Sequence, residues 1–125
     1  MPRDFPRARR IEEQVRRELS GLLRHSLKDP RASQVTLTDV KVSKDLSLAR
    51  VYVTSLDVEI SHEEIVKVLN GAAGFLRHGL GALIRIRSIP NLQFHYDESI
   101  EYGARMDKLI KSAIGADKKQ NSESD

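Results

Sequence analysis

The chain of 125 residues contains no cysteine and no tryptophan, and aromatic residues make up only 5% of it. The absence of cysteine excludes disulfides, thiol catalysis and iron–sulfur clusters, and it removes most structural zinc sites. The scarcity of aromatic rings leaves little material for a surface that stacks many unpaired bases. Long apolar runs are also absent, so we expect no membrane-spanning helix.

The length predicts a single domain, which we place at residues 1–114. Residues 115–125 are polar and charged and carry no large apolar group, so we expect a disordered tail there. The N-terminal residues are charged and no apolar core follows them, unlike a secretory signal. We therefore expect a cytoplasmic protein.

The modest net charge of +3 conceals an uneven distribution. Residues 1–31 carry +4 and residues 76–96 carry +3, whereas residues 57–75 between them carry −3. This pattern suits a protein with one side that faces phosphates and one that does not. The alternative is a scatter of charges over a solvated surface.

The first half of the chain predicts a helix and a hairpin. Apolar residues recur at three- and four-residue spacing over residues 7–27, which is typical of a helix with one buried stripe, and Pro30 ends it. Two alternating, β-branched runs follow on either side of residues 43–47 and predict an antiparallel hairpin. The apolar parity changes within the first run, so we expect a bulge near Asp39.

The second half predicts a broken helix, a strand and a last helix. Ser61 and Glu64 form a capping box, and the apolar stripe after them runs on past Gly71 and Gly74. Each glycine costs a helix about 1 kcal/mol, which predicts a kink or break at this point. A third strand at residues 92–96 and a helix ending at Gly115 complete an α+β fold, with helices on one face of a three-stranded sheet and the other face open.

Patterns for enzyme chemistry are incomplete in this sequence. His62-Glu63-Glu64 begins like a metalloprotease motif, but Val66 stands where its second histidine belongs. The acidic residues at 97–101 lie at a predicted helix start, where the helix dipole favours carboxylates. We therefore predict no catalytic residue, metal, cofactor or small-molecule substrate, and we expect a non-enzymatic monomer.

Nucleic-acid binding is better supported. Gly71, Ala72, Ala73 and Gly74 form a GxxG pattern, the element with which KH domains clamp a nucleic-acid backbone. A helix that restarts here frees backbone N–H groups for a phosphate, and small side chains let the backbone come close. The alternative is a helix crossing where glycine permits close packing.

Several segments, in order and at this spacing, resemble the ribosome-binding factor A family over most of residues 5–111. They are Asp29-Pro30-Arg31, Val40-Lys41-Val42-Ser43-Lys44-Asp45-Leu46, Ala49-Arg50-Val51-Tyr52-Val53, Ala72-Ala73-Gly74-Phe75-Leu76-Arg77, the run from Arg87 to Asp97, and Glu101-Tyr102-Gly103. The resemblance implies a KH-like fold of type II topology. It also implies an Ala-x-Gly kink, which here is Ala72-Ala73-Gly74; Gly71 satisfies GxxG as well, so a kink and a fuller loop both stay open.

The resemblance further implies a ribosome assembly factor. Such a protein binds the immature small (30S) subunit and its 16S rRNA, assists late maturation including processing of the 16S 5′ end, and contributes to cold adaptation. A general KH-type binder of single-stranded RNA and a protein–protein module without RNA are the alternatives.

The basic residues of the interface are inferred from charge and position rather than from the family. One group follows the kink and consists of Arg77, His78, Arg85 and Arg87. A second lies on the first helix (Arg7, Arg9, Arg10, Arg16 and Arg17), and Lys41 and Lys44 extend it from the hairpin. We expect the groups to form one face that contacts RNA.

Overall fold

The fold comes from a computed structural model that describes residues 6–124, apart from the side chains of residues 100–102 and 115–124. The helices are α1 (Pro6–His25), α2 (His62–Gly71), α3 (Ala73–Leu83) and α4 (Ser99–Ser124). The strands are β1 (Val35–Val42), β2 (Leu48–Ser55) and β3 (Asn91–Tyr96). This is the predicted order, and the α+β class and type II KH-like topology are confirmed.

α1 carries the stripe that the sequence predicts. Its buried residues recur at every third or fourth position: Ala8, Ile11, Val15, Leu19 and Leu23. The helix begins at Pro6, where the missing N–H of proline costs nothing. It ends at His25, two residues before the predicted end, because the Leu27 N–H bonds to the Leu22 carbonyl five residues back and unwinds the last turn.

The sheet has the order β1-β2-β3, with β1 antiparallel to β2 and β2 parallel to β3. The register of β1 shifts between Leu37 and Asp39, which confirms the predicted bulge. A parallel step needs a long crossover, and α2 with α3 supplies it between β2 and β3. In the turn before β2, Leu46 adopts a left-handed conformation with φ of 66°, which costs a non-glycine residue roughly 1–2 kcal/mol.

One face of the sheet forms the core and the other is exposed. Val51, Val53 and Phe94 are at most 1% exposed, while Arg50 and Gln93 point to solvent. α1 packs on β1, and α2 and α3 pack on β3. The prediction of helices on one face is therefore confirmed.

α4 continues beyond the point where the sequence predicts its end. It passes Gly115 and runs to Ser124, through the segment predicted as a disordered tail, so the predicted helix end is wrong. One glycine costs a helix only about 1 kcal/mol, and Ala, Lys and Gln in the following segment favour helix. Four large apolar side chains described in α4 are 40–60% exposed: Met106, Leu109, Ile110 and Ile114. The domain boundary at residue 114 stays a prediction.

Candidate nucleic-acid interface

The break between α2 and α3 is a kink of one residue. Ala72 leaves the helix with φ of −95° and ψ of 3°, yet its N–H still bonds to the carbonyls of Val68 (3.1 Å) and Leu69 (3.0 Å). Its own carbonyl accepts from the Leu76 N–H at 2.9 Å, as the first bond of α3. The structure thus has a kink here and not a fuller loop.

Close helix packing does not account for the two glycines of the GxxG pattern. A Cβ added at Gly71 or at Gly74 would meet nothing within 4 Å. The packing glycine is Gly79, where an added Cβ would lie 3.2 Å from both terminal methyl carbons of Leu22 in α1. Gly71 and Gly74 instead leave open space beside the kink.

We expect the start of α3 to offer backbone N–H groups to a ligand. Among the described residues, no side chain caps this helix at Ala72. The first turn of a helix has N–H groups without intrahelical partners, and the helix dipole is positive there. With the exposed Gly74 in this turn, the kink can accept a phosphate group at short range.

Two side chains, one before the kink and one after it, join the flanking helices to the chain around β3. The Asn70 amide receives the Phe94 N–H at 2.8 Å and donates to the Phe94 carbonyl at 3.2 Å. These bonds join the end of α2 to the outer edge of β3, which is left unpaired by the described strands. On the α3 side, the Arg77 guanidinium donates to the Ile89 carbonyl through Nε (3.0 Å) and Nη2 (2.8 Å).

Arg77 is therefore partly a structural residue. Its position beside the kink agrees with its predicted place in the interface, but two of its nitrogens already donate hydrogen bonds to the Ile89 carbonyl. A phosphate could still approach its Nη1. Replacing Arg77 changes stability together with binding, so other arginines are cleaner probes of the interface.

A groove of about 710 Å³ opens directly beside the kink. Its lining residues come from α3 and from the segment before β3: Gly74, Arg77, His78, Gly81, Ala82, Arg87, Ser88 and Ile89. We call it the kink groove. It brings the predicted residues Gly74, Arg77, His78 and Arg87 together on one surface.

A second groove of about 590 Å³ adjoins the first. Its walls are the start of α1, the β1–β2 turn and the segment after α3, with the lining residues Arg7, Arg10, Ile11, Gln14, Asp45, Leu46, Ser47, Arg85, Ile86, Arg87 and Ser88. We call it the arginine groove. Arg87 and Ser88 line both grooves, so the two basic zones of the sequence meet there.

Five of the predicted basic residues line neither groove: Arg9, Arg16, Arg17, Lys41 and Lys44. Arg16 pairs with Asp39 at 2.6 Å, Lys41 lies 3.7 Å from the same carboxylate, and Arg17 lies 3.6 Å from Glu18. An exposed cation that is already paired with a carboxylate attracts a phosphate less strongly. Their role in RNA binding stays a prediction, and their place outside both grooves favours a smaller contribution than that of the groove arginines.

One carboxylate lies among the arginines of the arginine groove. Hydrogen bonds from Ser47 and Ser43 lower the pKa of Asp45 to about 2, so this side chain is ionised at neutral pH. Because the folded pKa is below the ordinary value, the stabilisation is present above that ordinary value and is lost as the pH falls towards 2. Asp45 holds the turn that forms one wall of the groove.

The acidic segment, residues 57–64, lies at the other end of the sheet. β2 begins after the turn that walls the arginine groove and ends at Ser55, just before Asp57 and Glu59. Eight residues of strand span roughly 25 Å. The basic and acidic zones are therefore separated along β2 rather than scattered.

Other chemistry is not evident in the described parts of the chain. No group of three His, Asp or Glu residues among them could hold a metal ion. None of the described helices is both long and apolar enough to cross a membrane. His62 instead stacks on Tyr96, with ring centroids 3.6 Å apart, and lies 3.4 Å from Glu98.

Sequence reasoning missed the residues that shape the interface without carrying charge. Asn70 and Gly79 are the clearest examples, together with Ser88 at the junction of the grooves. Asn70 directly precedes the GxxG pattern, but its partner Phe94 lies 24 residues away. No local signal predicts that contact.

Replacing Gly74 by alanine should have opposite effects on stability and on binding. A Cβ at this position meets nothing in the free protein, and alanine favours helix, so the free energy of unfolding should rise by up to about 1 kcal/mol. The added methyl group stands where an RNA backbone would approach, so RNA affinity should fall about tenfold, a loss of about 1.4 kcal/mol. Thermal melts and RNA titrations measure the two effects.

Gly21 provides the matched control for this substitution. It lies in α1, lines neither groove, and an added Cβ there also meets nothing within 4 Å. Gly21→Ala should stabilise the protein without changing RNA affinity. Equal RNA affinity of the two variants would show that no backbone approaches Gly74.

Comparisons with known proteins agree on one family. The family model described as "Ribosome-binding factor A" matches residues 7–110. A protein of that name from Azoarcus sp. strain BH72 is 45% identical over 125 residues, covering all of this chain and 99% of the relative.

Solved structures agree with this match. The crystal structure of ribosome-binding factor A from Thermus thermophilus has a TM-score of 0.67 and 29% identity, covering 74% of this chain and 97% of that one. A homology model of the Thermus thermophilus factor, fitted into the cryo-EM map of a complex with 30S, has a TM-score of 0.59 and 30% identity. That comparison covers 71% of this chain and 93% of the other.

Proposed function

The chain belongs to the ribosome-binding factor A family, and on this premise we propose that it binds the small (30S) ribosomal subunit in its immature form. Relatives are named for ribosome binding, and the Thermus thermophilus factor has been fitted into a map of its 30S complex. We further propose that the contact is made with 16S rRNA. The protein acts in ribosome biogenesis as a binding factor, without catalysis, cofactor or small-molecule substrate.

The observation that carries this proposal is the junction of the two grooves at Arg87 and Ser88. The kink groove reaches the start of α3 at Gly74, where no described side chain caps the first backbone N–H groups. The arginine groove adds Arg7, Arg10 and Arg85. Together the two grooves carry five arginines, Arg7, Arg10, Arg77, Arg85 and Arg87, against the one carboxylate of Asp45, which supports contacts with more than one phosphate of an RNA backbone.

A binding factor of this kind can assist RNA folding without chemistry. An immature rRNA samples competing arrangements, and a protein shifts their populations by the difference in its affinity for them. We propose that this shift supports late maturation, including processing of the 16S 5′ end. Wrong pairings persist longer in the cold, which accounts for a role in cold adaptation.

We also propose that the protein acts as a monomer in the cytoplasm, where its ribosomal partner is. The family membership favours this function over a general KH-type binder of single-stranded RNA and over a protein module without RNA. A general binder would associate with many RNAs and would show no preference for precursor subunits.

Sedimentation separates these functions. On sucrose gradients of a lysate, the full chain should migrate with free and precursor small subunits, and much less with mature 70S ribosomes. Migration with 70S ribosomes alone would contradict a role in maturation. Migration with small subunits that is insensitive to salt would contradict a contact through phosphates.

A further inference from the structure

Phe75 is an exposed aromatic side chain in the first turn of α3. It is 57% exposed, whereas Phe94 in the core is 1% exposed. The neighbouring Leu76 and Leu80 supply the buried face of this helix. The core therefore does not require a large side chain at Phe75, and phenylalanine favours a helix less than alanine does.

The position of Phe75 relates it to the phosphate site. A helix rises about 1.5 Å per residue, so Phe75 lies roughly 4.5 Å along the axis from Ala72. Helical side chains lean towards the helix N-terminus, so we expect the ring of Phe75 to lie near the kink, beside the residues that line the kink groove and not among them. His78, which lines the kink groove, is three residues further on and lies on the same side of the helix.

Resting on the proposed function, we infer that Phe75 is the base-stacking residue of this interface. The base of a nucleotide whose phosphate lies at the kink stacks on its ring. A base inside a duplex already has both faces covered, so only an unpaired nucleotide offers a free face. The interface therefore takes single-stranded RNA at the kink, and Phe75 discriminates it from duplex.

Titration of the full chain with two RNA probes tests this inference. One probe is a single-stranded 12-mer containing 2-aminopurine, whose fluorescence falls when it stacks, and the other is a fully paired 12-base-pair duplex without a loop. Phe75→Ala should lower affinity for the single strand about 5- to 100-fold. Affinity for the duplex and the salt dependence of binding should not change, because no phosphate contact is lost.

Two further variants make the result specific. Phe75→Tyr keeps an aromatic face and should retain the affinity and the fluorescence quenching of the wild type. Leu83→Ala removes an apolar side chain of similar exposure (52%) from the end of the same helix, and should change nothing. Thermal melts establish that all variants are folded.

The outcomes separate the two proposals. If Phe75→Ala binds the single strand as tightly as wild type, with quenching retained, the stacking role is wrong while RNA binding stands. If Phe75→Ala weakens binding to small subunits but not to either RNA probe, Phe75 contacts a ribosomal protein and the inference is also wrong. If the wild-type protein binds neither the RNA probes nor small subunits, the proposed function is wrong, and the stacking role of Phe75 is wrong with it.

Discussion

Replacing both Arg85 and Arg87 by alanine is expected to weaken binding to small subunits about 10- to 100-fold at physiological salt. Both side chains are exposed on the segment between α3 and β3, and Arg87 lines both grooves. Each phosphate contact contributes roughly 0.7–0.9 to the slope of log affinity against log salt. The double variant should therefore have a slope shallower by roughly 1.4–1.8.

Removing the arginines at the start of α1 should also weaken binding to small subunits and lower its salt dependence. Adding Arg7→Ala and Arg10→Ala removes the other two arginines of the arginine groove and should roughly double the loss of slope. The matched control is Arg9→Ala with Arg17→Ala, which changes the net charge of α1 equally at positions that line neither groove. The control should lose little affinity. If the Arg7/Arg10 pair and the Arg9/Arg17 pair lost equal affinity, total charge, and not the groove, would determine binding.

Replacing Asn70 by alanine is expected to lower the free energy of unfolding by about 1–3 kcal/mol. The amide makes two hydrogen bonds to the backbone of Phe94, and both are partly buried. Without it, the N–H and the carbonyl of Phe94 lose their partner at the outer edge of β3. The same change frees the end of α2, so RNA affinity should fall as well.

Asn70→Asp identifies which bond matters more. Aspartate can still accept the Phe94 N–H, but its carboxylate cannot donate to the Phe94 carbonyl at neutral pH. Its stability should therefore lie at or below that of Asn70→Ala, because a charge is placed against a carbonyl oxygen. Thermal and urea unfolding measure both variants. Wild-type stability in both would show that Asn70 does not hold the kink.

The sequence predicts the elements of this fold well because each has a local cause. The stripe of α1, the parity change at Asp39 and the glycines at 71 and 74 are all readable within a few residues. The end of α4 is the exception, because a single glycine is a weak signal against the helix formers that follow Gly115.

The interface is less predictable because its geometry depends on distant contacts. Arg7 and Arg10 reach the arginine groove while Arg9 and Arg17 do not, and that division follows from how α1 packs against the β1–β2 turn. Arg77 reads as a phosphate ligand by charge, yet it also bonds the Ile89 carbonyl 12 residues away. The exposure of Phe75 likewise appears only when Leu76 and Leu80 are seen to fill the core.

Photo-crosslinking of the full chain to precursor small subunits, followed by mass spectrometry of the crosslinked peptides, tests the central claim most directly. The account predicts crosslinks to 16S rRNA from residues 71–88 and from the start of α1, with none from the acidic segment at residues 57–64. Crosslinks to rRNA confined to the acidic segment or to α4, with none from the two grooves, would contradict it.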